Sequence, residues 1–159
     1  MRLHRSLIGL AAFAALAACL GTASPAASQG APKPDPAARA RALCGSGYEL
    51  RQSHPFAENG TVKATTYLAY DEARATACTV TLRMAPAPQY ADVPYMSAYI
   101  QPAGASPVQS GGYYRSYAGP ARARTTEGCL RWGGRYRTQT WHAQTPTTPK
   151  TQTTCPATA

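Results

Sequence analysis

The 159-residue sequence lacks an apolar run of the roughly 20 residues that a helix needs to cross a bilayer. It also lacks any Cys-x-x-Cys pair, and its histidines are not spaced with its cysteines as ligand pairs, which argues against a zinc site. No Gly-x-Ser-x-Gly nucleophile motif appears. Acidic residues are scarce, 7 against 16 basic ones, for a formal net charge of +9. Glu49, Glu58, Asp71, Glu72, Asp92 and Glu127 show no spacing that selects a carboxylate pair for glycoside hydrolysis. Beyond the amino-terminal segment there is no long helical periodicity, and that excludes a helical bundle.

What is present begins with that amino-terminal segment. Arg2 and Arg5 precede the apolar stretch LIGLAAFAALAACL, from Leu7 to Leu20, and small residues follow it. This is the pattern of a signal peptide over residues 1–28. Two endings compete. The small pair Ala26 and Ser28 (or Ser24 and Ala26) suits release, whereas Leu16-Ala17-Ala18-Cys19 reads as a lipobox that would place a lipid on Cys19. Membrane attachment is expected only in the second case. Residues 29–42, with three prolines among alanines and charges, read as an extended linker.

Four cysteines remain in the exported part: Cys44, Cys78, Cys129 and Cys155. In a small exported domain they read as two disulfides. Of three possible connectivities, 44–78 with 129–155 closes two moderate loops and is favoured. The domain is expected over residues 43–159, with a Thr/Pro-rich irregular tail from about residue 143.

Strand patterns dominate that domain. In VKATTYLAY, Val62, Ala64, Leu68 and Tyr70 share one face with Thr66 as a polar exception. In CTVTLRM, Cys78, Val80, Leu82 and Met84 point one way and Thr79, Thr81 and Arg83 the other. The polar segment between them predicts an antiparallel hairpin. YMSAYIQ, from Tyr95 to Gln101, places Met96, Ala98 and Ile100 on an inner face. Pro-rich MAPAPQYADVP and Gly-rich PAGASPVQSGG read as loops. The fold class is therefore all-β, a small disulfide-stapled antiparallel sandwich or barrel. Asn59-Gly60-Thr61 matches a glycosylation sequon and reads as a turn.

Between Tyr113 and Arg137 the chain runs YYRSYAGPARARTTEGCLRWGGRYR. Period-two geometry puts Tyr113, Arg115 and Tyr117 on one face of YYRSY, and Arg122 and Arg124 together on one face of ARART. Gly119-Pro120 predicts a turn or an edge. Gly133-Gly134 suits a two-residue hairpin turn, which pairs Trp132 with Arg135, Arg131 with Tyr136, Leu130 with Arg137 and Cys129 with Thr138. Arginines then lie opposite aromatic rings, an arrangement that stabilises exposed strands with no ligand at all.

CGSGY at 44–48, YLAY at 67–70, Cys78 in a Thr/Val strand, YYRSYAGP at 113–120 and CLRWGG at 129–134 occur in order. This series resembles the spore-associated protein A family of small exported proteins of filamentous actinomycetes. The Pro-rich 85–94 loop and the Thr-rich tail depart from the family's pattern. The resemblance implies export and association with the cell or spore surface, and it implies no catalytic activity.

The function expected is thus a non-enzymatic surface-associated protein, with no cofactor and no metal. A cell-envelope or spore-surface polymer is the expected partner class. A carbohydrate- or wall-binding module is the alternative, using Tyr113, Tyr117, Trp132 and Trp141 for stacking and Arg115, Arg122 and Arg124 for charge. A secreted protease inhibitor acting through the 85–94 loop ranks lower. Among enzymatic arrangements, Ser53-His54 is a neighbouring pair whose side chains diverge on an extended chain, and His142 has only Asp71 or Asp92 as a distant partner. Nucleic acid is excluded as a partner, because export separates the protein from it.

Overall fold

A computed structural model describes residues 35–85, 92–125, 128–147 and 155. These described residues all fall in one compact unit. The expected signal peptide over 1–28, Cys19, the core of the 85–94 loop and most of the tail beyond Thr147 lie outside them.

The chain is all-β with one helix. Helix α1 (Pro36–Cys44) precedes strands β1 (Glu49–Glu58), β2 (Thr61–Asp71), β3 (Thr76–Arg83) and β4 (Tyr95–Pro102). Strands β5 (Val108–Tyr113), β6 (Tyr117–Arg124), β7 (Cys129–Tyr136) and β8 (Gln139–Pro146) follow. Two four-stranded antiparallel sheets form, in the orders β1-β2-β3-β6 and β5-β4-β7-β8. No backbone ladder joins them among the described residues, so the arrangement is a sandwich. One open side is sealed by side chains. Gln52 donates to Thr145 Oγ1 at 3.2 Å, Gln139 donates to the Ala57 carbonyl at 3.1 Å, and the His54 ring stacks on Trp141 at 4.0 Å.

The expected β2–β3 hairpin is present, with Thr66 opposite Thr81. Met96, Ala98 and Ile100 are buried as anticipated: Ala98 and Ile100 pack with Leu68, Tyr70, Leu130 and Trp132, and Met96 with Phe56, Ala64 and Tyr136. The apolar face of β3, however, does not look at the second sheet. Cys78, Val80 and Leu82 pack beneath α1, against Ala40, Cys44 and Tyr48. The threonine face turns inward, and Thr79 and Thr81 are fully buried. Thr81 is satisfied there by Thr66 Oγ1 at 2.6 Å and by donating across the sandwich to the Ser97 carbonyl at 2.7 Å. Gly134 makes that approach possible, because a Cβ there would press into Thr66 Oγ1, Thr81 Oγ1 and the Ser97 oxygen.

Several expectations are corrected. The segment expected as an extended linker over 29–42 is helical from Pro36. Asp35 caps it by accepting from the Ala37 and Ala38 amides at 3.0 and 3.3 Å, and Pro36 sits at the first turn, where its missing donor costs nothing. Gly45, with φ of 111°, ends it. Ser53-His54 lies in strand β1, and residues 108–112, expected within the Gly-rich loop, belong to strand β5. The YYRSY strand breaks after Tyr113, and residues 114–116 link the sheets. Of the two readings of Gly119-Pro120, turn or edge, the edge is the one found: the pair lies inside β6, which occupies a sheet edge where a proline removes no ladder bond from a further neighbour. Gly133-Gly134 is likewise strand: the β7–β8 turn is Arg137-Thr138, with Arg137 at φ 55°. Trp132 therefore pairs with Ile100 and Ala143. The tail also starts later than expected, since Ala143 to Pro146 complete β8.

The disulfides join Cys44 to Cys78 and Cys129 to Cys155, with Cα separations of 5.9 and 5.7 Å. The first ties α1 to β3, and the second ties the start of β7 to the tail.

Candidate ligand-binding face

Alternation decides what each sheet shows to the outside. In β4 the buried Met96, Ala98 and Ile100 leave Tyr95, Ser97 and Tyr99 on the outer face. Their neighbours across the ladders are Arg135 opposite Ser97 and Gly133 opposite Tyr99 in β7, then Thr140 and His142 in β8. On the other side, Tyr113, Gly111 and Gln109 of β5 lie opposite Tyr95, Ser97 and Tyr99. A recess of about 260 Å³ opens here, lined by Tyr95, Ser97, Tyr99, Gln109, Arg131, Arg135, Thr140 and His142. No carboxylate is among them.

Two glycines leave room at the floor. A Cβ on Gly111 would meet the Tyr95 hydroxyl at 2.7 Å, and one on Gly133 would strike the Trp141 carbonyl of β8 and come within 2.9 Å of His142 Cδ2. The Tyr95 hydroxyl and the edge of the His142 ring therefore sit beside bare backbone. Arg135 lies over the Tyr95 ring at 5.0 Å and Arg131 over Tyr99 at 5.7 Å. Tyr99 also meets His142 edge-on at 4.9 Å, and its hydroxyl donates to Gln101 Oε1. Burial, and then the nearby Arg131 charge, push the His142 pKa down, so this imidazole is neutral at neutral pH. The positive charge of the face comes from Arg131 and Arg135, and neither forms an ion pair among the described residues. Beside them, Glu58 and Asp92 lie 3.5 and 3.6 Å from Arg137.

The seven ligand-surface candidates drawn from the sequence do not assemble. Tyr113 alone reaches this face, 76% exposed and edge-on to Tyr95 at 5.6 Å. Arg115 lies in the link between β5 and β6. Tyr117 packs on the opposite side of the molecule, in the cluster beneath α1, with Arg39 at 5.9 Å from its ring. Arg122 caps α1: its guanidinium donates to the Leu43 and Cys44 carbonyls at 2.9–3.1 Å, satisfying orphan groups at the helix end. Arg124 stands exposed at the end of β6, paired across the ladder with Thr76. Trp132 is buried in the core and Trp141 is wedged between it and His54. His142 has no acidic partner in either candidate, because Asp71 holds Arg74 and Asp92 holds Arg137. Among the described residues no group of three or more His, Cys, Asp or Glu is placed to hold a metal.

Arg131, Arg135, Tyr95 and Tyr99 were legible in part. Alternation in 95–101 already sent both tyrosines outward, and two arginines four apart in a strand share a face. Arginine over tyrosine was the right type of contact, but the rings come from β4 and not from a hairpin within 129–138.

Over 127 residues the chain is 38% identical to Spore-associated protein A of Streptomyces coelicolor (strain ATCC BAA-471 / A3(2) / M145), an alignment covering 79% of this chain and 75% of that protein. The chain belongs to the spore-associated protein A family. No family model matches it, and no solved structure does. For this member of the spore-associated protein A family, the sandwich described above therefore rests on its own sequence and geometry. The described residues contain no helix long and apolar enough to cross a membrane.

Proposed function

We propose that this member of the family is an exported, non-enzymatic protein held at the cell or spore surface by contact between its second sheet and an envelope polymer. The observation that carries this reading is the outer face of β5-β4-β7-β8. There Arg131 and Arg135 stand among Tyr95, Tyr99 and Tyr113 with no carboxylate lining the recess. Two disulfides support an oxidising, extracytoplasmic location. The relative's name supports a spore surface. The signal-peptide pattern at residues 1–28 supports export, and Cys19 offers lipid attachment as a separate route to the same surface.

Fractionating sporulating cultures tests the reading. The oxidised protein is expected with hyphal and spore envelopes, and released in part by the R131Q/R135Q double variant. Recovery of the native protein entirely from the culture fluid at every stage would overturn it. Envelope retention that the double variant leaves unchanged but Cys19→Ala abolishes would move the attachment to a lipid.

A further inference from the structure

Resting on the reading of the second sheet as the contact face, we propose that the recess between β4, β7 and β8 holds one acidic sugar ring of a uronic-acid polymer. The argument begins with the spacing of charge. Arg131 and Arg135 are four residues apart on β7, roughly 13 Å at about 3.3 Å per residue. Both guanidinium groups lean the same way along the strand: Arg131 toward Tyr99, which lies opposite Gly133, and Arg135 toward Tyr95, which lies beyond its own partner Ser97. The charged heads therefore keep the separation of their Cα atoms. A single carboxylate cannot meet both. A chain that repeats its acidic groups can, and the planar guanidinium fork suits each of them.

The space between the charges selects the rest of the ligand. At about 260 Å³ the recess lies below the usual range for drug-sized ligands, of a size for one small ring. At its floor the Tyr95 hydroxyl and the edge of the His142 ring take places that side chains at Gly111 and Gly133 would fill. Around it stand Thr140, Gln109 and the neutral His142, groups that exchange hydrogen bonds with the hydroxyls of a pyranose. A polyol-phosphate chain would satisfy the arginines but would leave most of these hydrogen-bonding groups unused. Among the described residues the first sheet offers no equivalent: α1 packs over β2 and β3, Arg122 is committed to the helix end, and the recess at the start of β1 is lined by Glu49, Asp71 and Glu72.

The test is affinity of the oxidised exported chain for polygalacturonate, compared with its methyl ester and with poly(glycerol phosphate), at fixed ionic strength. Saturable binding to polygalacturonate is expected. Loss of charge in the ester should abolish it, and poly(glycerol phosphate) should bind about tenfold more weakly or worse. Arg135→Gln and Arg131→Gln should each weaken polygalacturonate binding about tenfold, the change expected when a hydrogen bond to a charged group is lost. Arg124→Gln, which removes the same charge on the other sheet, should leave it within about twofold. Unfolding midpoints and intact disulfides would confirm that all three variants fold.

Equal binding to poly(glycerol phosphate) would overturn the sugar-ring assignment, and equal weakening by Arg124→Gln would reduce the site to diffuse charge. Failure here is distinguishable from failure of surface attachment. A protein that binds polygalacturonate through Arg131 and Arg135 yet stays in the culture fluid would refute the attachment and keep the site. Envelope retention through the same arginines without polyuronate binding would do the reverse.

Discussion

The two sheets have similar inner faces and opposite outer ones. The first carries α1 on its outer face, pinned by the Cys44–Cys78 bridge and by Arg122 at the helix end, so most of β2 and β3 is buried on both sides. The second leaves its outer face to solvent and fills it with tyrosine, arginine and histidine over two glycines. Side chains that stabilise are concentrated on one face, and side chains able to meet a partner on the other. Substitutions on the outside of the first sheet should therefore change stability, and those on the outside of the second should change binding.

The largest effect should come from removing the first bridge. The Cys44→Ser/Cys78→Ser protein should lose about 2–4 kcal/mol in urea unfolding, because the bridge closes a 34-residue separation and fastens α1. An unchanged midpoint would show that the helix holds without it. Next comes the shared interior. Gly134→Ala should cost about 1–3 kcal/mol by forcing a methyl group into the Thr66–Thr81–Ser97 contact. If it proves neutral, the sheets are less closely apposed than the geometry requires.

Arg122→Ala should cost about 1 kcal/mol through lost helix-end hydrogen bonds and should leave polymer binding unaltered. A binding defect in that variant would blur the contrast between the faces.

Acid sensitivity should be smaller and should divide between two pH windows. Burial lowers the pKa of His54 and of His142, so the unfolded chain takes up these protons first, near pH 6.5. Stability should fall as pH drops through that region and level off below the lowered native values. A His54→Gln/His142→Gln protein should show a flatter profile from pH 8 to 5. Asp71 acts lower. Burial raises its pKa, but hydrogen bonds from Arg74 outweigh that and hold the carboxyl below the usual range. Its contribution is complete above that range and is lost as pH falls through the native value.

The smallest stability change is expected on the open face. R131Q, at an exposed position, should stay within about 0.5 kcal/mol of the parent, and R135Q, at a half-buried one, within about 1 kcal/mol, since it also loses a hydrogen bond to the Arg137 carbonyl. A larger loss would mean that the arginine–tyrosine pairs are there for the fold and not for a ligand.

Local alternation made much of the fold legible. Residues 62–70, 78–84 and 95–101 showed their strands because each keeps a two-residue period, and four cysteines after a signal-peptide pattern pointed to two bridges. The misreadings arose where a residue type serves an uncommon purpose. Pro36 at a helix start looked like a linker proline. Gly133 and Gly134 looked like a turn, whereas one lets the β8 backbone at Trp141 and His142 come close and the other brings the sheets together. The inward threonines of β3 were invisible to a rule that sends the apolar face to the main core, because α1 had been read as spacer. The outer face of the second sheet could not be assembled from any single stretch. It joins β4, β5, β7 and β8, and only the ladders bring Tyr99 to Arg131.

Gly134 has a consequence at the opposite surface of its own strand. Sliding β7 by two positions would bring Trp132 or Tyr136 over the threonine pair, where neither side chain fits. Sliding it by one would turn Arg131 and Arg135 into the apolar interior. The bare backbone at one position thus works as an index mark for the whole strand. What the protein shows to its surroundings is set by a gap between two hydroxyl groups at its centre.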